Sequence, residues 1–147
     1  MKPKKILLVE DSADDELLIK RSLKKSRVLN EVVVARDGPD ALDYFEGKGE
    51  FEGRDVNELP SLVLLDLKLP RMGGLEVLKR IRANERTRLI PVVILTSSDE
   101  EEDIIEGREL GSNSYVRKPV DFEEFSAAVQ QIGMYWLLLD EPLPEKG

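Results

Sequence analysis

The stretch SLVLLDLKLPRMGGLEVLKRIR, residues 61–82, holds the pattern from which the rest of the chain can be read. Leu62–Leu65 is a short aliphatic run with no polar alternation, as expected of a parallel strand covered on both faces. It ends on a carboxylate, Asp66. A loop carrying Pro70 and the pair Gly73-Gly74 follows, and Leu75, Leu78 and Ile81 then recur at helical spacing.

The same unit repeats outward in both directions. Aliphatic runs occur at Ile6–Val9, Val32–Ala35 and Val92–Leu95, with a weaker one at Ser114–Val116. Helical patterns separate them. Ser12 with Asp15 resembles a capping box, and Leu18, Ile19, Ser22 and Leu23 give that helix one inward face. Asp37-Gly38-Pro39 starts a second helix with Ala41, Leu42 and Phe45 inward. Ser98-Asp99 starts another carrying Ile104 and Ile105. A last helix begins near Asp121 with Phe122, Phe125, Val129 and Ile132 on one face. Strand and helix thus alternate five times, which predicts an open, doubly wound five-stranded parallel sheet in a single domain spanning 1–147. Two regions break the rhythm: the long polar connection Gly47–Pro60, and the apolar stretch Met134–Leu139 before Pro142 and Pro144.

Composition removes several chemistries. The 147 residues include no cysteine and no histidine. Disulfides, thiolate metal sites and Ser-His or Cys-His nucleophiles are therefore excluded. A net charge of −8 argues against binding a nucleic-acid backbone. No apolar run reaches the ~20 residues of a membrane span. The beginning, MKPKKILLVED, is not patterned as a signal peptide, so a cytoplasmic protein is expected.

Five residues fall where strands end: Glu10 and Asp11 after the first, Asp66 after the third, Thr96 at the fourth and Lys118 after the fifth. In a doubly wound sheet, ligands bind outside the carboxyl ends of the strands, so these side chains are expected to share one crevice. Each has a plainer reading alone. An acidic pair is usually solvated surface, Asp66 suits a helix cap or turn, Thr96-Ser97-Ser98 suits an N-cap cluster, and Lys118 suits the surface. Their conjunction carries the argument. Three carboxylates within ~4 Å repel by ~4 kcal/mol per pair at an effective dielectric near 20, so the cluster demands a cation. All-oxygen ligands suit Mg²⁺. A carboxylate nucleophile assisted by a metal and a lysine makes a coherent phosphoryl-transfer site that needs no histidine.

Glu10-Asp11, the segment from Asp66 through Pro70 to Gly74, Thr96-Ser97 and Lys118-Pro119 together resemble the bacterial response-regulator receiver family, over about residues 4–135. The resemblance implies a flavodoxin-like (βα)5 fold with strand order 2-1-3-4-5. It implies Asp66 as phosphoacceptor, and Glu10, Asp11, Asp66 and the backbone carbonyl of Lys68 as Mg²⁺ ligands. Thr96 and Lys118 would bind the phosphoryl group. Tyr115 would be the switching aromatic, a role to set against simple core packing, and Lys118–Pro119 matches a bond usually cis in the family. Leu69 and Gly73 depart from the common form of the motif.

The long connection before strand three, the phrase at 61–82 and the ending MYWLLLDEPLP further resemble small regulators paired with phytochrome-type histidine kinases. The expected donor is such a kinase, and output is expected through a surface of helix four, strand five and helix five acting on a partner protein, or by phosphate relay. The apolar segment from residue 134 onward, with helix five, is expected to form a homodimer. The competing enzyme reading is an aspartyl phosphatase of the haloacid-dehalogenase type. That class normally carries a second Asp two residues after the nucleophile, where Lys68 stands.

Overall fold

The computed structural model describes residues 5–25, 30–96, 101–112, 114–118, 121, 123–125 and 127, with 101–104 described for the backbone alone. Its elements run β1 (Ile6–Val9), α1 (Ala13–Lys25), β2 (Val32–Ala35), α2 (Gly38–Glu46), a 3₁₀ turn (Gly49–Phe51), β3 (Leu62–Asp66), α3 (Gly74–Ala83), β4 (Val92–Thr96), α4 (Glu101–Glu109) and β5 (Ser114–Arg117). All strand pairs are parallel, in the order β2-β1-β3-β4-β5. This is the flavodoxin-like arrangement.

Alternate residues of each strand point to opposite faces, and the core divides accordingly. Leu7, Val9, Val63, Leu65, Val92 and Ile94 meet Ala41, Tyr44 and Phe45 of α2 and Val77, Leu78 and Ile81 of α3. Ile6, Leu8, Leu62, Leu64, Val93, Leu95 and Val116 meet Ile19 and Leu23 of α1, together with Phe125. β1, β3 and β4 are buried along their whole length, which is why their sequences lack polar alternation.

The helix starts follow the expected chemistry. Ser12 Oγ accepts the amide of Asp15 at 3.2 Å, and Asp37 Oδ1 accepts that of Asp40 at 2.9 Å with Pro39 in the first turn. The reciprocal half of the proposed capping box differs, because the Ser12 amide donates to Glu10 Oε2 instead. Leu18 also differs from expectation: it is 40 % exposed. Ile19, Ser22 and Leu23 already fill the buried i, i+3, i+4 positions, and Leu18 lies about 100° to one side of Ile19. Ile105 is likewise half exposed. α4 approaches the sheet through Gly107, where a Cβ would meet Ile94 Cδ1 at 2.5 Å, and Ile105 lies some 200° around the helix from that contact.

The connection 47–60 is folded back onto α2. Gly47 closes the helix in the left-handed conformation, and Phe51 packs edge-on to Tyr44 with ring centres 5.2 Å apart. The Arg54 guanidinium lies 3.9 Å over the Tyr44 ring and donates to the carbonyls of Tyr44, Asp55 and Glu58. Arg86 reaches across from beyond α3 to the carbonyls of Val56 and Phe45. Glu123–Phe125 is helical, with the Phe125 amide bonded to Asp121 O and its ring fully buried. The expected positions Ser97, Ser98, Asp99, Pro119, Phe122, Val129, Ile132 and Met134–Leu139, the side chain of Ile104 and the expected dimer surface lie outside the described residues.

Candidate functional site

Sheet register brings the strand ends together. Val9 pairs with Leu65 and Asp66 with Leu95, so Glu10 and Asp66 leave neighbouring strands at one level. Thr96 pairs with Arg117, and the Lys118 amide donates to Thr96 O at 2.8 Å, which pins the start of the β5 exit against β4. All five residues expected in the crevice lie at this carboxyl edge.

Burial separates them. Glu10 and Thr96 are fully buried, Asp66 is 5 % exposed, and Asp11 faces solvent. One carboxylate oxygen from each of Glu10, Asp11 and Asp66 lies within 4.8 Å of the other two. This all-oxygen acidic donor set fits a hard divalent cation. The Lys118 side chain is nearly buried among carboxylates, at 2.6 Å from Glu10 Oε1, 3.0 Å from Asp15 Oδ2 and 3.3 Å from Asp66 Oδ2. It is not an ordinary surface lysine.

The electrostatics follow from that geometry. Burial raises the Glu10 carboxyl above its ordinary value, against the lowering by Lys118 and the Ser12 amide, and the Asp66 charge raises it further. Glu10 Oε1 lies 2.6 Å from the ammonium, which is its charge partner in this buried site. Burial works against the Lys118 charge, but Glu10, Asp15 and Asp66 outweigh it and hold that amine above the usual lysine range. The ammonium contacts three carboxylates, and Asp11 adds a fourth to the cluster. The balance is negative, which is the condition for attracting a cation.

The loop after Asp66 is held from behind. The Lys68 amide donates to Asp66 Oδ1 at 3.2 Å, and the Gly74 amide to Leu67 O at 2.9 Å. A Cβ on Gly74 would lie 2.2 Å from Asp66 O and 2.7 Å from Leu67 Cα, so α3 can begin this close to the carboxylate only with glycine there. Arg71, at φ +67°, donates through Nε and Nη2 to Asp37 Oδ2, tying this loop to the start of α2. Tyr115 is 37 % exposed on β5, opposite Ile94, so packing wholly in the core does not describe it.

Sequence reading missed Asp15. The capping pattern alone accounts for it at the start of α1, whereas its side chain meets a lysine 103 positions away. No local signal marks it: Asp11 precedes α1, and a carboxylate in the first turn of a helix already has a reading there.

Residues 6–130 match the family model described as the response regulator receiver domain. Among curated proteins, the chain is 42 % identical over 135 residues to response regulator Rcp1 of Synechocystis sp., covering 92 % of this chain and 90 % of that protein. Among solved structures it is similar to the bacteriophytochrome response regulator RtBRR, at 49 % identity and a TM-score of 0.86, covering 97 % of this chain and 86 % of the other. A Mn²⁺-bound form of Rcp1 matches at 40 % identity and TM-score 0.76, over 97 % and 100 % of the two chains. The phosphorylated cyanobacterial phytochrome response regulator RcpA matches at 38 % and 0.76, over 98 % and 100 %. These matches do not support the haloacid-dehalogenase alternative.

Proposed function

The chain belongs to the response regulator receiver domain family, and from that premise we propose that Asp66 accepts a phosphoryl group from a sensor histidine kinase of the phytochrome type. The observation that carries this reading is the buried carboxylate of Asp66 at the end of β3, flanked by Glu10, Asp11 and Lys118. An Asp66 oxygen attacks phosphorus as the bond to the donor nitrogen breaks, and the imidazole takes the electron pair. Glu10, Asp11, Asp66 and the Lys68 backbone carbonyl would hold Mg²⁺. When bound, the cation would offset negative charge on the transferred group. Lys118 meets a phosphoryl oxygen with a fixed positive charge, and Thr96 meets one with its hydroxyl.

Hydrolysis resets the site when water attacks phosphorus and the acyl oxygen leaves as the Asp66 carboxylate. Thr96 and Tyr115 couple the phosphorylated state to the surface of α4, β5 and the last helix, and a partner protein or a phosphorelay receives the signal. We assign residues 1–147 to one cytoplasmic receiver domain, with a core over about 4–135. The apolar extension 134–147 and the last helix form its homodimer contact. Names such as bacteriophytochrome response regulator among the matches support the choice of kinase.

Labelling with acetyl phosphate and Mg²⁺, followed by intact-mass measurement, tests the acceptor. The native chain should gain one phosphoryl group and Asp66→Asn none. Undiminished labelling of Asp66→Asn refutes the assignment.

A further inference from the structure

Lys118 has more acidic partners than its proposed role requires. Two are built into the crevice: Glu10, fully buried, and Asp66. The third, Asp15, belongs to the first turn of α1 and lies 0.3 Å closer to the ammonium than Asp66 does, at 3.0 against 3.3 Å. Its amide is capped by Ser12 Oγ, which fixes the turn that carries it. Among the described residues, the contact that accounts for the aim of the Asp15 carboxylate into the crevice is the one to Lys118. That lysine is itself held in place by its amide on Thr96.

The three partners differ in what they lose if the ammonium moves. Glu10 would be left as an uncompensated buried carboxylate, which is costly. Asp15 keeps 34 % of its side-chain exposure, so water can take the place of the lysine there. When Lys118 turns toward a phosphoryl oxygen on Asp66, the contact given up most cheaply is the one to Asp15.

We propose that Asp15 is a positioning residue for phosphoryl transfer, drawing Lys118 toward α1 and competing with the phosphoryl group for it. This rests on the phosphoacceptor reading of Asp66. The carboxylate would thereby restrain phosphorylation, as a counter-charge the incoming group must displace. A neutral residue at position 15 removes the competitor while leaving Glu10 to hold the lysine in the crevice.

The test compares the native chain with Asp15→Asn, Asp15→Ser and Asp15→Glu. It measures the second-order rate of labelling by acetyl phosphate with Mg²⁺, and the affinity for beryllofluoride, which reads the same lysine contact without turnover. Both should rise about two- to fivefold in Asp15→Asn and Asp15→Ser, the size expected for a partly exposed ion pair. Asp15→Glu, which keeps the charge, should return both toward native values. A merely structural residue would shift the melting temperature without moving rate and affinity together. Rates and affinities unchanged or lowered in both neutral variants overturn the proposal, provided the native chain labels and Asp66→Asn does not. If the native chain itself takes no label, the failure belongs to the phosphoacceptor reading.

Discussion

Replacing Asp66 by Asn should make the folded protein more stable in the absence of divalent cations, although it removes the proposed acceptor. The Asp66 carboxylate faces Glu10 and Asp11 within 4.8 Å. It also lies no more than 6.3 Å from Asp15, the two Lys118 contacts of 3.0 and 3.3 Å laid end to end. At an effective dielectric of 20 and at these outer separations the repulsions are at least about 3.5, 3.5 and 2.6 kcal/mol, against an attraction of about 5 kcal/mol to Lys118. Halving the two terms that involve solvent-facing partners leaves a net repulsion of about 1.5 kcal/mol. For a chain of this length that corresponds to a melting temperature raised by about 3–6 °C. The measurement is thermal unfolding in chelator-treated, low-salt buffer, and the gap should narrow as salt is added. Mg²⁺ should then close or reverse it, because a ligand at a hundred times its dissociation constant stabilises the native protein by about 2.7 kcal/mol. Asp66→Asn, with one carboxylate fewer, should gain less. If it melts at or below the native temperature without metal, the picture of a cluster dominated by repulsion is wrong.

Gly74→Ala places a methyl group 2.2 Å from Asp66 O, and backbone cannot yield as a side chain can. It should cost about 3 kcal/mol in chemical denaturation and slow labelling of Asp66 as well. At the start of α2, Asp37→Asn keeps the cap on the Asp40 amide and loses only the Arg71 ion pair, whereas Asp37→Ala loses both. The alanine variant should be less stable than the asparagine variant by about 1 kcal/mol, read from urea midpoints. Glu10 governs the acid side. Its carboxyl is raised by burial, so the folded chain binds that proton more tightly than the unfolded chain. The stability gained is complete below the ordinary value of 4.5 and is lost as pH rises through the raised folded value. Glu10→Gln should therefore flatten the stability curve from pH 4.5 upward, and an unchanged slope there would contradict the burial argument. Arg82 donates to the carbonyls of Gly111, Arg88 and Ile90, so Arg82→Ala should cost about 2 kcal/mol in the same assay by leaving acceptors unpaired.

The order of elements and the residues at the strand ends were legible in the chain itself. A strand buried on both faces must be aliphatic throughout, so Ile6–Val9, Leu62–Leu65 and Val92–Leu95 announce themselves without any knowledge of their neighbours. The polar residues that interrupt them, Glu10, Asp66 and Thr96, mark where each strand stops. Local chemistry also determined the starts of α1 and α2, since a cap bonds an amide only three residues away.

Tertiary structure alone decided what depends on direction and distance between remote segments. Periodicity gave Leu18 a place on an apolar stripe, but the contact between α1 and the sheet reached only Ile19, Ser22 and Leu23. The polar composition of 47–60 hid a segment closed over Tyr44 by Phe51 and Arg54, because cation–ring and guanidinium–carbonyl contacts leave no period in a sequence. Asp15 is the clearest case. Nothing local distinguishes a capping-turn carboxylate from one that shares a lysine with Glu10 and Asp66. Only the parallel register, which sets β3 and β4 between β1 and β5 and returns Lys118 over the crevice, brings the two charges within 3.0 Å.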